Sequence, residues 1–211
     1  VTVAASSVSP LTFSHTNTGS NLVLLQHIER QDATTDTLTA ATYNSVAVTA
    51  LTTITTGSST RMYFRYLIAP TTGANTLSVS FSAGDWGMCS ASYTGVLQSG
   101  FPDSSNTGTA NLADTLTVST TVVASNCWLA ANGSVTAWHA TPGGAGTTVR
   151  GTGGNIRACD SNATVGTGAQ SLTIKGVNAN QYEGMIIASM APAAETAVNQ
   201  GSTLSMMGVG H

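Results

Sequence analysis

Glycoside hydrolysis needs two carboxylates facing each other across the sugar bond. The chain holds only three glutamates for such work: Glu29, Glu183 and Glu195. Glu29 has Asp32 three residues on, and Glu183 lies on an apolar run. No Glu-x-Asp-x-x-Glu spacing occurs, so no glucanase signature forms. Nucleophilic catalysis needs a Ser or Cys with a base and an orienting group. Gly87-Met88-Cys89-Ser90-Ala91 has the outline of a nucleophile elbow. It lies in an alternating strand with no helix after it, which is the wrong context. His15, His27, His139 and His211 are scattered and lack metal-ligand spacing. Cys89, Cys127 and Cys159 form no C-x-x-C pair and read as buried small apolar residues. The reading therefore assigns no catalytic residue and no metal site, and it expects a non-enzyme.

Calcium is the one cofactor these residues suggest, since oxygen-rich loops bind it. Asp32 and Asp36 flank a Thr-rich loop, and Asp103 precedes Ser104, Ser105 and Asn106. The same residue types also form turns without any ion. Glycan binding uses exposed aromatics beside polar amides. Trp86 after Asp85, Trp138 before His139, and Tyr182 after Asn180-Gln181 are its candidates. Large amphipathic rings also pack on the ends of sandwiches, and that competes with a binding role. Asn132-Gly133-Ser134 and Asn162-Ala163-Thr164 match the N-glycosylation pattern.

The elements that would position these residues are strands. Met62, Phe64, Tyr66 and Ile68 alternate with Arg61, Tyr63 and Arg65. Leu77, Val79 and Phe81 alternate with Ser78 and Ser80, and Leu172 and Ile174 with Ser171, Thr173 and Lys175. A period of two marks strands with one buried face. Leu22–Leu25 and Met185–Ala188 are apolar on both faces and read as central strands. Asn44-Ser45 reads as a tight hairpin turn, Gly57-Ser58 as a second turn, and Asn132-Gly133 as a third. Leu97–Ala110 and Thr141–Gly154 read as long irregular loops.

Composition narrows the function. Of 211 residues 41% are hydrophobic but only 7% are charged, against roughly 25% in ordinary soluble domains. A polar but nearly neutral surface suits close packing against neighbours, because few ions must be desolvated. No basic run marks a nucleic-acid interface, and no apolar stretch is long enough for a membrane helix. The expected architecture is all-β: an antiparallel, jelly-roll-like β-sandwich over 1–190 with an extended C-terminal arm over 191–211. Leu204, Met206, Met207 and Val209 are the anchors of that arm.

Three segments carry a family likeness: Thr42–Thr49; Tyr66–Pro70 with Gly73 and Thr76–Phe81; and Ala91–Val96 with Gln98 and Pro102. Over roughly residues 40–135 the chain resembles a recurrent β-sandwich module of phage virion proteins and secreted bacterial proteins. Ser45 stands where that module often has Gly. The resemblance implies a jelly-roll-like or concanavalin-like sandwich and supplies no catalytic residues. It implies a structural protein on a virion surface or in an extracellular assembly, most simply a capsid-decoration protein. Its partners would be copies of itself and other structural proteins, with no nucleic acid and no membrane. A carbohydrate-binding module is the alternative, and a glycoside hydrolase the third reading.

Overall fold

The computed structural model of the chain describes residues 2–31, 34–57, 60–135, 144, 146–153, 155–176 and 181–194. Every regular element among them is a strand. The first nine are β1 (Thr2–Ser6), β2 (Leu11–Asn17), β3 (Val23–Arg30), β4 (Leu38–Tyr43), β5 (Val46–Ala47), β6 (Thr49–Thr56), β7 (Thr60–Ile68), β8 (Gly73–Phe81) and β9 (Trp86–Tyr93). The next seven are β10 (Ser104–Ala113), β11 (Thr115–Val122), β12 (Trp128–Val135), β13 (Thr148–Gly153), β14 (Ile156–Asp160), β15 (Gly168–Lys175) and β16 (Gln181–Met190).

They form four sheets, with orders β1-β9-β3-β7-β6, β2-β8-β4-β5, β10-β16-β12-β14-β13 and β11-β15. All pairings within them are antiparallel. The first two sheets enclose one core around Leu24, Tyr43, Tyr63, Leu77 and Trp86. The last two enclose another around Leu129, Val135, Leu172, Ile174 and Met185. A third apolar layer, with Val23, Leu25, Phe64, Ile186 and Met190, joins the two five-stranded sheets. The molecule is therefore a four-layer stack. β3 and β16 are interior strands of sheets covered on both faces, which is why Leu22–Leu25 and Met185–Ala188 are apolar on both faces.

The two sandwiches repeat one topology. Replacing β1–β3 by β10–β12 and β6–β9 by β13–β16 converts the first five-stranded order into the second. The same replacement turns β2-β8 into β11-β15. With β6 set aside, the first half has the paired strand orders of an eight-stranded jelly roll. In the second half β4 and β5 have no counterpart among the described residues. The registers agree as well. Val23 faces Tyr93 where Trp128 faces Met190, and Leu11 faces Val79 where Leu116 faces Ile174. Each half has a bulge at the same place, Leu51 in β6 and Arg150 in β13. Asn21 and Asn126 both take left-handed backbone, φ 49° and 58°, just before β3 and β12. Thr72-Gly73-Ala74-Asn75-Thr76-Leu77-Ser78-Val79 is echoed by Thr167-Gly168-Ala169-Gln170-Ser171-Leu172-Thr173-Ile174. Gly87-Met88 and Ala91-Ser92 return as Gly184-Met185 and Ala188-Ser189.

The halves meet across a pseudo-twofold axis. β6 lies against β16 and β10, and its counterpart β13 lies against β9 and β1. Each patch thus meets the other's equivalent, as in an isologous dimer. The axis passes between Glu29 and Ser134, equivalent residues whose side chains hydrogen-bond at 2.5 Å. The repeated glycines face the other half, where an added Cβ has no room. A Cβ on Gly87 would lie 2.8 Å from the Gly153 carbonyl oxygen, and one on Gly184 would lie 2.8 Å from Met62 Sδ.

In place of the single sandwich expected over 1–190, the described residues form two, with the boundary in the loop at 97–103. Two segments expected to be loops carry strands: β10 begins at Ser104 and β13 spans Thr148–Gly153. Asn132-Gly133 is not a turn but the middle of β12. The Asn132 amide donates to the Tyr63 carbonyl at 2.9 Å, and a Cβ on Gly133 would lie 2.9 Å from Ile174. This pair serves packing on both sides of the sheet. The Asn44-Ser45 hairpin is as expected, with φ 49° and 64° joining β4 to β5. Ala191–Ala193 belongs to the folded body, since Pro192 bridges Val96 and Ala191 is 9% exposed. The arm anchors Leu204, Met206, Met207 and Val209 lie outside the described residues.

Candidate functional site

The carboxylates with hydrolytic potential are sealed. Glu29 is fully buried between the two jelly rolls, where Ser134 Oγ donates to Oε1. Burial pushes its carboxyl up to about 8, so the neutral acid dominates at pH 7. Glu183, also buried, is raised by desolvation to about 7. Neither meets solvent, and Asp32 and Glu195 lie outside the described residues. Cys89 is buried in β9, and desolvation lifts its thiol to about 12, so it is no thiolate nucleophile. Cys127 and Cys159 are buried free thiols as well, as the sequence indicated.

The glycan candidates separate. Trp86 is 1% exposed; its ring stacks on Phe81 at 5.1 Å and its indole N–H donates to the Ala83 carbonyl at 3.0 Å. It closes the end of the first core and offers no face to a sugar, which corrects its assignment. Trp138 lies outside the described residues. Tyr182 is exposed on β16 and leans over Gly57. For calcium, Asp36 already accepts from Tyr63 Oη, the Leu38 N–H and Arg61. Asp103 accepts from the Val123 and Ala124 N–H groups and from Ser189. Among the described residues no three His, Cys, Asp or Glu side chains converge on a metal position. Asn132 is fully buried, so its glycosylation pattern is spent inside the fold.

A cavity of about 880 Å³ opens instead where the two jelly rolls meet, at the ends of β2, β9, β12 and β14. Tyr93 and Trp128 line it, with ring centroids 6.3 Å apart and planes tilted by 54°. Asp160, 2% exposed at the end of β14, pairs through Oδ2 with Arg150 Nε at 2.7 Å. Tyr93 Oη donates to the same oxygen at 3.1 Å, and the Asn162 N–H donates to Oδ1 at 2.8 Å. Burial and the Asp160 charge hold the Tyr93 phenol well above its ordinary range, so it stays a donor. The Tyr93–Asp160 bond ties the first jelly roll to the second.

His15 and Ser92 also border the cavity, His15 Nε2 lying 3.2 Å from Ser92 Oγ. A serine needs a base that titrates near the working pH. Burial lowers His15 to about 4, so at pH 7 the ring is a neutral hydrogen-bond partner and a poor proton acceptor. The site offers two aromatic faces, one internally neutralised ion pair and several hydroxyls. Sequence reading missed Tyr93, Trp128, Arg150 and Asp160 as site residues. The available signal was a charged pair ten residues apart in a chain with so few charges. No family model, curated protein or solved structure matches the chain.

Proposed function

We propose that the protein is a structural component of a virion or extracellular assembly, of the capsid-decoration or surface type, built from copies packed through uncharged faces. The observation that carries this reading is how the charges are spent. The chain has six basic and nine acidic residues, and five of these (Glu29, Arg30, Arg157, Asp160 and Glu183) are buried. The outer faces are left with rows of small polar side chains. On β11, Thr115, Thr117, Ser119 and Thr121 face outward, and Thr117 pairs with Thr173 of β15 at 2.8 Å. Such faces desolvate cheaply and repel one another little. The four-layer body supplies rigidity.

Sedimentation of the intact chain tests this. The expected result is concentration-dependent association that persists from about 0.05 to 1 M salt, a range over which screening removes charge-driven contacts. A monomer at every concentration and salt overturns the reading, and so does association that dissolves at high salt.

A further inference from the structure

The two jelly rolls treat one position differently. In the first, Tyr66 lies on β7 opposite Thr49, two residues before the bulge residue Leu51, and Phe101 from the connecting loop covers it with ring centroids 4.7 Å apart. The strand registers place Asp160 at the position of Tyr66 and Arg150 at that of Leu51. There no described residue covers the same niche, which forms the cavity of about 880 Å³. The residue matching Phe101 by the same count is Val198, which has no ring and lies outside the described residues.

The niche thus accepts a six-membered ring in one half. In the other its floor has become polar, while Tyr93 and Trp128 keep aromatic faces at its wall. Arg150 and Asp160 neutralise each other, and burial keeps His15 uncharged at pH 7. The site therefore carries no net charge to attract an ion. It presents a guanidinium whose Nε is held by Asp160 and whose Nη2 donates to Asn162 Oδ1, with N–H donors left over, together with the carboxylate it holds and the Ser92 and Thr164 hydroxyls. We propose that this niche binds the ring of a neutral saccharide, stacked against Tyr93 and Trp128 and hydrogen-bonded to the Arg150–Asp160 pair. The site is independent of the assembly reading and distinct from Trp86, Trp138 and Tyr182.

The test is calorimetric titration of the intact chain with neutral hexoses and neutral short oligosaccharides, with sialylated and sulfated sugars as comparison. Saturable binding of a neutral sugar is expected, weakened at least about tenfold in Arg150→Ala and in Trp128→Leu, and unchanged in Phe101→Leu. A tenfold loss corresponds to about 1.4 kcal/mol. Trp128 contributes to the layer between the jelly rolls, so if Trp128→Leu fails to fold, the more exposed Arg150→Ala decides alone. No binding of any neutral sugar overturns the proposal, as does binding that Arg150→Ala leaves intact. Preference for the charged sugars also overturns it. Binding that appears only after removal of residues 195–211 assigns the niche to the chain's own tail and overturns it too.

Discussion

The first jelly roll is the filled version of the second. Its interface strand β7 carries Phe64, stacked on His27 with centroids 4.8 Å apart. The equivalents in the second half are the small Ala158 and the amide Asn132. Trp86 caps the first core at the position where the second holds the acid Glu183. Tyr66 under Phe101 corresponds to Asp160 paired with Arg150. Strand order, register, bulge and the Gly-Met step are shared, while side-chain volume and polarity are not. The shared topology accommodates these exchanges of buried side chains between its two halves. At Gly87 and Gly184, where an added Cβ would lie 2.8 Å from the facing half, both halves keep glycine.

The sharpest difference across the axis is the acid Glu29 facing the hydroxyl Ser134, and it sets the largest expected effect. Glu29 and Glu183 are raised from 4.5 to about 8 and about 7 by burial. The stability they lend is complete below 4.5 and is lost as pH rises through those values. His15 and His27 are lowered from 6.5 to about 4 and about 3, again by burial. Their contribution is complete above 6.5 and is lost as pH falls. Between 4.5 and 6.5 the two slopes oppose each other. Denaturant melts should show a plateau there, with stability falling on both sides. At about 1.4 kcal/mol per pKa unit the alkaline loss amounts to several kcal/mol. Glu29→Gln should remove most of the alkaline fall and leave the acid fall untouched. An unchanged alkaline limb would show that Glu29 is not its source.

Next in size is the pair of glycines. A methyl at Gly87 meets the Gly153 carbonyl oxygen at 2.8 Å and Gln31 Nε2 at 3.1 Å. Backbone cannot yield there, so Gly87→Ala should cost about 1–3 kcal/mol by overpacking. Gly184→Ala meets the end of the flexible Met62 side chain, with Thr56 behind it at 3.2 Å, and should cost less. Equal costs, or the reverse order in thermal melts, would break the view that the first contact is the rigid one.

The smallest effect belongs to a feature with no counterpart among the described residues of the second half. Ser45 holds φ 64° in the β4–β5 hairpin, a conformation that a side chain disfavours. Ser45→Gly should stabilise by about 0.5 kcal/mol, the relief of that strain being partly offset by a freer unfolded chain. A loss of stability would place the serine side chain among the hairpin's supports.

The strands were legible because alternation is a local property. Phe64 and Tyr63 announce opposite faces by adjacency alone. That both faces were buried against two different sheets was visible only in Leu22–Leu25 and Met185–Ala188. The duplication stayed hidden because its echo spans eight residues at Thr72 and Thr167 and otherwise survives as register, which no single strand displays. Asn132-Gly133 misled because the dipeptide favours turns, while here a buried amide and a missing Cβ answer to packing partners distant in sequence. The cavity was illegible for the same reason. Tyr93, Trp128, Arg150 and Asp160 sit on four different strands and come together only once two jelly rolls are docked.

The connection after β9 and the segment after β16 cross at the pseudo-twofold axis. Leu97 N–H donates to the Ala191 carbonyl at 2.9 Å, Ala193 N–H donates to the Gly95 carbonyl at 2.7 Å, and Val96 bridges Pro192 between them. Tension applied to the chain beyond Ala194 therefore does not reach β16 alone. It loads this short antiparallel ribbon first and passes through Gly95 into β9 of the other jelly roll. The molecule takes a pull at that end as one body, with the seam between its halves bearing the strain.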